Sequence, residues 1–363
     1  MDAPALDDRR WMRRALALAR RGWGRTAPNP LVGAVLVRDG HVVGVGWHAQ
    51  WGGPHAEAMA LAAAGEDARG ATCYVTLEPC AHTGKTPPCA DALIAAGVAR
   101  VVYAVSDPSP VAAGGAARLR AAGIATTAGV EADAARALIA PFLHLAHGGA
   151  RPFVTLKLAR SLDGAVAPAD GAMRWLTGPM ARRWVHRARA QADAIAVGIG
   201  TVLADDPALT VRDVSPPRVA PVRVVFDRTL RLPLGSHLVR TAREVPVLVV
   251  AHPEADPARA RALEAAGVTV VAAATLADGL AVLRARGIGH LFCEGGATIA
   301  RALLDAELVD RLVIFTAPVA LGAGARPAFG PGIGRRGDDL RFRVVAHRRL
   351  GPDVLTEFAP AAS

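Results

Sequence analysis

His55-Ala56-Glu57, Pro79-Cys80 and Cys89 together offer one imidazole, two thiols and a carboxylate. Catalytic zinc usually takes three protein ligands and leaves a fourth position to water, whose pKa falls there from about 15.7 to roughly 7. His55, Cys80 and Cys89 read as those ligands, for one Zn2+ per chain. Hydrolytic deamination must also take a proton from the water, protonate a ring nitrogen and deliver a proton to leaving ammonia. Glu57, unligated and two residues from His55, can do all three. The pattern therefore points to a hydrolytic deaminase. A structural zinc site would want a fourth protein ligand; His82 is the nearby candidate and is read instead as a substrate contact.

Chemistry of this kind needs rigid elements behind it. Apolar residues at 31–37 predict a strand, and Pro54 predicts the start of a helix through Ala64, with His55 and Glu57 in its first turn. A second strand, 71–77, leads into Glu78-Pro79-Cys80, and Cys89 follows Pro87-Pro88 at the start of a helix over 90–96. A helix N-terminus lowers thiol pKa, which suits Cys89 to bind as thiolate. Cys73 and Cys293 read as small buried hydrophobes. Nucleic-acid and nucleoside deaminases resemble the pattern P-C-x-x-C. Here eight residues, 81–88, separate the cysteines, enough to lie over a substrate.

The chain of 363 residues is long enough for two domains, and 52% hydrophobic against 20% charged residues argues for packed cores. Its net charge of +10 is read as suiting a phosphate-bearing small molecule rather than nucleic acid, because aromatics are only 4% and the basic residues are spread along the chain. The arginine-rich stretch 8–21 carries Trp11, Ala15, Leu18 and Ala19 near helical spacing, which predicts an amphipathic helix packed on the domain. No apolar run reaches the roughly 18 residues of a membrane span, and four cysteines make no disulfide framework. The expectation is a cytoplasmic protein without nucleic-acid or membrane partners; self-association into a homo-oligomer is left open.

His147-Gly148-Gly149-Ala150-Arg151-Pro152 interrupts a helical pattern over 132–146 and marks a boundary between domains at 1–148 and 151–363. Before it, strands at 98–106 and 124–129 and a helix at 115–122 predict a three-layer α/β/α domain. After it, strands are legible at 153–158, 194–198, 222–227, 245–251, 268–271, 290–293 and 311–315, with helices at 179–191, 257–266, 276–286 and 297–305. Such alternation predicts a mainly parallel sheet. Residues 341–348 and 354–358 read as a closing hairpin. Glu294-Gly295-Gly296, between strand and helix, could hold a phosphate or be a plain tight turn, and Asp205-Asp206-Pro207 could be a loop turn.

Several longer stretches carry a resemblance. They are Pro28-Asn29-Pro30-Leu31-Val32-Gly33, Gly53-Pro54-His55-Ala56-Glu57 and the run from Thr76 through Leu77-Glu78-Pro79-Cys80-Ala81-His82-Thr83-Gly84-Lys85-Thr86-Pro87-Pro88-Cys89. Ser161-Leu162-Asp163-Gly164 and Gly200-Thr201-Val202-Leu203-Ala204-Asp205-Asp206-Pro207 follow in the second half. In this order they resemble the bifunctional deaminase/reductase family of riboflavin biosynthesis, over nearly the whole chain.

The resemblance implies an α/β protein in which a cytidine-deaminase-like domain precedes a dihydrofolate-reductase-like one. It implies that Asn29, His48, Ala81, His82 and Lys85 surround a phosphorylated diaminopyrimidinone. It further implies NADPH contacts at Ala159, Trp175, Thr201, Asp205 and the loop Gly296, Ala297, Thr298, Ile299, Ala300, Arg301 and Ala302. The reductase substrate would meet Lys157, Met173, Arg189, Leu209, Arg212 and Glu294. Arginine suits the phosphate through its planar fork of donors. The implied reactions are deamination to a uracil, then hydride transfer to the ring-opened ribose C1′, giving a ribitylamino group.

Two positions depart from the family pattern. Gly171-Ala172-Met173-Arg174-Trp175 stands where Gly-x-Ser-x-Trp is usual, so a thioether replaces a hydroxyl; either Arg174 compensates or substrate affinity is altered. Arg160 replaces a small or apolar residue. Two rival classes share parts of the pattern. A deaminase of RNA or of another nucleotide would leave the second domain degenerate and the cysteine spacing unexplained, and a non-enzymatic zinc and nucleotide-binding regulator would make Glu57 incidental.

Overall fold

Along Gly33–Arg38, Ala34 and Leu36 alternate with Val35 and Val37, and all four are buried because both faces of this strand are covered. The computed structural model describes residues 6–83, 87–171, 175–329 and 340–361. They fall into two compact units, Met1–Gly148 and Gly149–Ser363. No helix among the described residues is long and apolar enough to cross a membrane.

The first unit runs α1 (Leu6–Ala19), β1 (Gly33–Arg38), β2 (His41–Trp47), α2 (Ala56–Ala64), β3 (Thr72–Val75), α3 (Cys89–Ala95), β4 (Arg100–Tyr103), α4 (Gly115–Ala121), β5 (Ala125–Ala128), α5 (Ala132–Leu138) and α6 (Ala140–Ala146). Its sheet has the order β2-β1-β3-β4-β5; β1 is antiparallel to both neighbours, and β3, β4 and β5 are parallel. Val35, Tyr74 and Val102 pack against Trp11, Met12 and Ala15 of α1 and Ala135 of α5. On the other face Leu36, Cys73 and Val101 pack against Ala56 and Ala60 of α2, Leu93 of α3 and Leu119 of α4. Three layers result, as the alternation implied. The apolar face of α1 is buried as expected, and Asp8 is buried too, accepting from the Tyr74 hydroxyl at 2.9 Å and from both terminal nitrogens of Arg100 at 3.0 and 2.8 Å.

Several features of this unit differ from the sequence reading, and the strand expected over 98–106 covers only Arg100–Tyr103. Strand β2 was not anticipated, because Gly44 and Gly46 interrupt its apolar pattern. Both glycines are there for close approach: a Cβ at Gly46 would lie 2.1 Å from the carbonyl oxygen of Ala56, and one at Gly44 would lie 2.2 Å from that of Ala60, so α2 rests directly on β2. The pattern over 132–146 is not one helix but two, broken at Ile139, whose φ of −108° leaves the helical region just before Pro141 starts the next turn. The first strand starts at Gly33 rather than at position 31.

The second unit opens with β6 (Phe153–Arg160), β7 (Ala165–Ala167), α7 (Pro179–Gln191), β8 (Ala194–Gly198), α8 (Ile199–Asp205), β9 (Val222–Phe226), α9 (His237–Arg240), β10 (Val247–Ala251), α10 (Pro257–Ala265) and β11 (Thr269–Ala272). It continues with α11 (Leu276–Ala285), β12 (His290–Cys293), α12 (Ala297–Asp305), β13 (Arg311–Thr316), β14 (Arg326–Pro327), β15 (Phe342–Leu350) and β16 (Asp353–Pro360). The main sheet has the order β11-β10-β9-β8-β12-β6-β13-β16-β15, parallel from β11 to β13 and antiparallel at the β13-β16-β15 edge. The mainly parallel sheet and its closing hairpin agree with the reading above. The short α8, α9, β7 and β14 were not anticipated; β7 and β14 pair as a separate two-stranded ribbon.

Chain order sets where a ligand can lie. From β8 the chain steps outward to β11, then returns to place β12 between β8 and β6. Where the winding direction of a parallel sheet reverses, loops diverge and leave a crevice beyond the carboxyl ends of the strands.

Candidate active sites

His55 is the N-cap of α2, with extended backbone (φ −72°, ψ 163°) and no capping bond from its ring, so the imidazole is free to point away from the helix. Cys89 begins α3 after Pro88, and Cys80 sits on the loop after β3, tied to α3 by the Ala90 N–H donating to its carbonyl at 3.2 Å. The three donor atoms lie within 4.8 Å of one another. His55 Nδ1 is 3.3 Å from Cys89 Sγ and 3.6 Å from Cys80 Sγ. Tetrahedral zinc, with Zn–S near 2.3 Å and Zn–N near 2.0 Å, separates its N and S ligands by roughly 3.5 Å, so this donor set fits the ion. Cys73 and Cys293 are fully buried and stand outside the cluster.

Cys80 Sγ accepts from the Cys89 thiol, the His55 ring and, at 3.4 Å, the Cys89 backbone N–H, and these bonds lower its pKa. The Cys89 thiol, which donates to Cys80 and is more deeply buried, is pushed up.

Glu57 is buried in the first turn of α2 and lies outside the three-donor cluster. Burial pushes its carboxyl up to about 7, against a smaller opposing effect of His55. A pocket of about 330 Å³ joins Glu57, His55 and Cys80 to Asn29, His48 and His82. His48 Nδ1 lies 3.0 Å from the Pro54 carbonyl and so carries the proton, leaving Nε2 to accept from the Asn29 amide nitrogen at 3.2 Å. His82 Nδ1 is buried with no hydrogen-bond partner among the described residues. Ala81 is beside the pocket, its N–H donating to the Ala112 carbonyl at 3.0 Å, and Lys85 lies outside the described residues.

The sequence reading missed Asp107, Ser109, Trp51 and Phe142, which also line this pocket. Asp107 and Ser109 follow β4 as Cys80 follows β3, so the carboxyl ends of parallel strands were the available clue. Glu78 was read only as part of a motif. Its two oxygens accept from the backbone N–H groups of Ala116 at 3.0 Å and Asp107 at 3.2 Å, fastening the loops on either side.

In the second unit a cleft of about 980 Å³ lies at the carboxyl ends of the strands. It collects Lys157, Ala159, Trp175, Arg189, Thr201, Asp205, Arg212, Glu294, Gly296, Ala297, Thr298, Ile299 and Ala302. Three expected residues do not line it. Leu209 and Ala300 are buried, and Arg301 donates to Asp305 at 3.1 Å one turn along α12. Met173 lies outside the described residues, as do Ala172 and Arg174. Arg160 donates to the Thr316 hydroxyl at 3.4 Å. Gly295 and Gly296 have φ of 83° and 89°, and a Cβ on Gly296 would lie 2.8 Å from the Thr201 hydroxyl, so no side chain fits between this turn and α8.

Burial lowers the Lys157 pKa while Glu294 opposes it, and Glu294 is held below its ordinary value by Arg189 despite burial. Burial raises the Asp205 carboxyl. The Arg182 guanidinium lies 5.3 Å from the centre of the Trp175 ring, which is itself 72% exposed. His186, Arg228, Arg231 and His252 line the cleft as well and were not singled out from sequence. Each reads in isolation as an ordinary surface residue.

Residues 6–105 match the cytidine and deoxycytidylate deaminase zinc-binding region, and residues 152–356 match the RibD C-terminal domain. The riboflavin biosynthesis protein RibD of Aquifex aeolicus is 41% identical over 353 residues, 97% of this chain and 98% of that one. RibD of Escherichia coli is 43% identical over 366 residues, 96% and 98% of the two chains. The solved structure of Acinetobacter baumannii RibD is similar with a TM-score of 0.79 and 40% identity, covering 98% of this chain and 99% of that one. A Thermotoga maritima structure described as a diaminohydroxyphosphoribosylaminopyrimidine deaminase/5-amino-6-(5-phosphoribosylamino)uracil reductase reaches a TM-score of 0.81 at 34% identity, with the same coverage.

These likenesses bear out the expected pair of folds, cytidine-deaminase-like and dihydrofolate-reductase-like. Zinc and a nicotinamide cofactor are the groups that such domains work with. The chain belongs to the RibD family, the bifunctional deaminase/reductase enzymes of riboflavin biosynthesis.

Proposed function

We propose that residues 1–148 deaminate 2,5-diamino-6-(5-phosphoribosylamino)pyrimidin-4(3H)-one, and that residues 151–363 reduce the product with NADPH to 5-amino-6-(5-phosphoribitylamino)uracil. The observation that carries this reading is the cluster His55, Cys80 and Cys89 with a buried carboxyl, Glu57, beside it but outside it. His55, Cys80 and Cys89 hold one zinc ion, which when bound makes water a nucleophile at neutral pH. Glu57 takes one proton from the attacking water and passes it to the ring nitrogen, then takes the second proton from the same oxygen, now on the ring carbon, and passes it to the amino group, which leaves as ammonia. A carboxyl brought near neutrality by burial suits both directions of transfer. Asn29, held by His48, and His82, whose buried Nδ1 has no partner among the described residues, supply polar contacts to the pyrimidine, with Ala81 alongside.

In the reductase, the Gly296 turn, Thr201 and the N-terminus of α12 would hold the dinucleotide. The cofactor supplies hydride to C1′ of the opened ribose. Arg212, Arg189, Glu294 and Lys157 orient the phosphorylated chain against it. The cysteines among the described residues are free, which suits thiolate ligands in the reducing cytoplasm.

The test is to incubate the zinc-loaded protein with the diaminopyrimidinone phosphate, with and without NADPH. Ammonia should appear in both cases and NADPH should be oxidised in the second. If neither depends on that substrate, the assignment is wrong.

A further inference from the structure

His186 and Arg189 lie one turn apart on α7, and both hold the segment 209–213. The backbone N–H of Arg212 donates to His186 Nδ1 at 3.1 Å, and Arg189 Nη1 donates to the Thr210 carbonyl at 2.7 Å. That segment needs such support, because Leu209 and Asp213 both have left-handed backbone, with φ of 49° and 59°. A ring nitrogen that accepts from an amide cannot carry a proton, so the geometry fixes the tautomer and puts the hydrogen on Nε2. Burial first, then the charges of Arg189 and Arg212, lower the pKa of the ring.

His186 is 8% exposed, lines the reductase cleft beside Arg212 and Glu294, and has no partner for its Nε2–H among the described residues. That donor therefore stands available to a ligand in the cleft. The neighbouring charges are unequally free. Arg189 is engaged by both oxygens of Glu294 and by Thr210, whereas exposed Arg212 commits, among the described residues, only Nη1, to the Thr210 hydroxyl at 2.9 Å.

We infer that His186 is a further substrate-binding residue of the reductase: its Nε2–H hydrogen-bonds a phosphate oxygen of the sugar-phosphate chain whose charge Arg212 neutralises. The inference rests on the reductase reading above. It gives His186 two roles on opposite ring nitrogens, positioning of the 209–213 segment through Nδ1 and contact with the ligand through Nε2.

Two variants separate these roles. His186→Asn keeps an acceptor near the place of Nδ1 and removes the Nε2 donor; His186→Gln carries an amide donor to the place of Nε2 and gives up Nδ1. With the full-length enzyme and the deaminated substrate, His186→Asn should raise KM roughly tenfold or more with kcat nearly unchanged. His186→Gln should recover much of that loss, and the Kd of NADPH, read by its fluorescence, should not move. In wild-type protein labelled with 15N-histidine, D-ribose 5-phosphate should shift the His186 Nε2 resonance, whereas D-ribose should not. An unchanged KM in His186→Asn, or a resonance indifferent to ribose 5-phosphate, overturns the inference. Wild-type enzyme that oxidises no NADPH with the deaminated substrate overturns the reductase reading itself, and this assignment with it.

Discussion

The guanidinium of Arg189 and the carboxylate of Glu294 meet fork to fork, with Nη2 3.0 Å from Oε2, joining the last turn of α7 to the turn after β12. Both side chains are nearly enclosed, at 12% and 11% exposure. Arg189→Ala should leave a carboxylate buried without its partner and destabilise the protein by about 3–5 kcal/mol. Arg189→Lys keeps the charge but not the planar fork, and should still lose most reductase activity. Chemical denaturation and the two assays check this together. Deaminase activity should persist in Arg189→Lys, and an unaltered reductase in that variant would show that the fork is dispensable.

Glu57→Gln should lower ammonia release by about 10²–10⁴-fold, the usual contribution of a positioned proton carrier. Zinc content should stay at the wild-type level, because Glu57 stands apart from the three donors. NADPH oxidation with the deaminated substrate should be unaffected. Metal analysis decides the alternative, since a variant that loses its zinc would make Glu57 a ligand.

The cluster of His55, Cys80 and Cys89 was legible because its chemistry is carried by residue type and by starts of elements: Pro54 before His55, Pro88 before Cys89. Strand β2 was illegible because Gly44 and Gly46 break its alternation for a reason that lies on α2, distant in sequence until the chain folds. The break at Ile139 is a backbone event inside a continuous apolar pattern. The bond from the Cys89 backbone N–H to Cys80 Sγ likewise depends on how the loop between them closes. His186 likewise gains meaning only when Arg212, from another segment, donates to it.

Gly115 offers a test of how the zinc loop is held. A Cβ there would lie 1.7 Å from the carbonyl oxygen of Pro79, the residue before Cys80. Gly115→Ala must therefore displace that peptide and tilt Cys80 away from His55 and Cys89. Zinc affinity should fall by about 10–100-fold, the range seen when groups supporting a metal ligand are disturbed. Deaminase activity should fall with it and recover in excess zinc, while reduction of the deaminated substrate continues. Full zinc affinity in this variant would mean that the loop has room to move without the ligand.

His290 opens β12 with Nε2 2.9 Å from the Thr155 hydroxyl on β6, and its ring meets Phe153 edge-on at 5.8 Å. Burial, and then the charge of Arg311, lower its pKa from 6.5 to about 4. Above about pH 6.5 the ring is neutral both folded and unfolded, and it adds no pH dependence. Between 6.5 and about 4 the unfolded chain takes up a proton that the folded one refuses, so stability falls as the pH falls, by about 3 kcal/mol over this window. Below that window both states are protonated and the loss levels off. His290→Gln can still bond to Thr155 but cannot titrate. It should therefore be less stable than wild type at about pH 7.5, yet lose less between about pH 6.5 and 4.5. Urea unfolding of both proteins at the three pH values isolates the ring as a difference of differences, and equal losses in the two would assign the acid sensitivity to other groups.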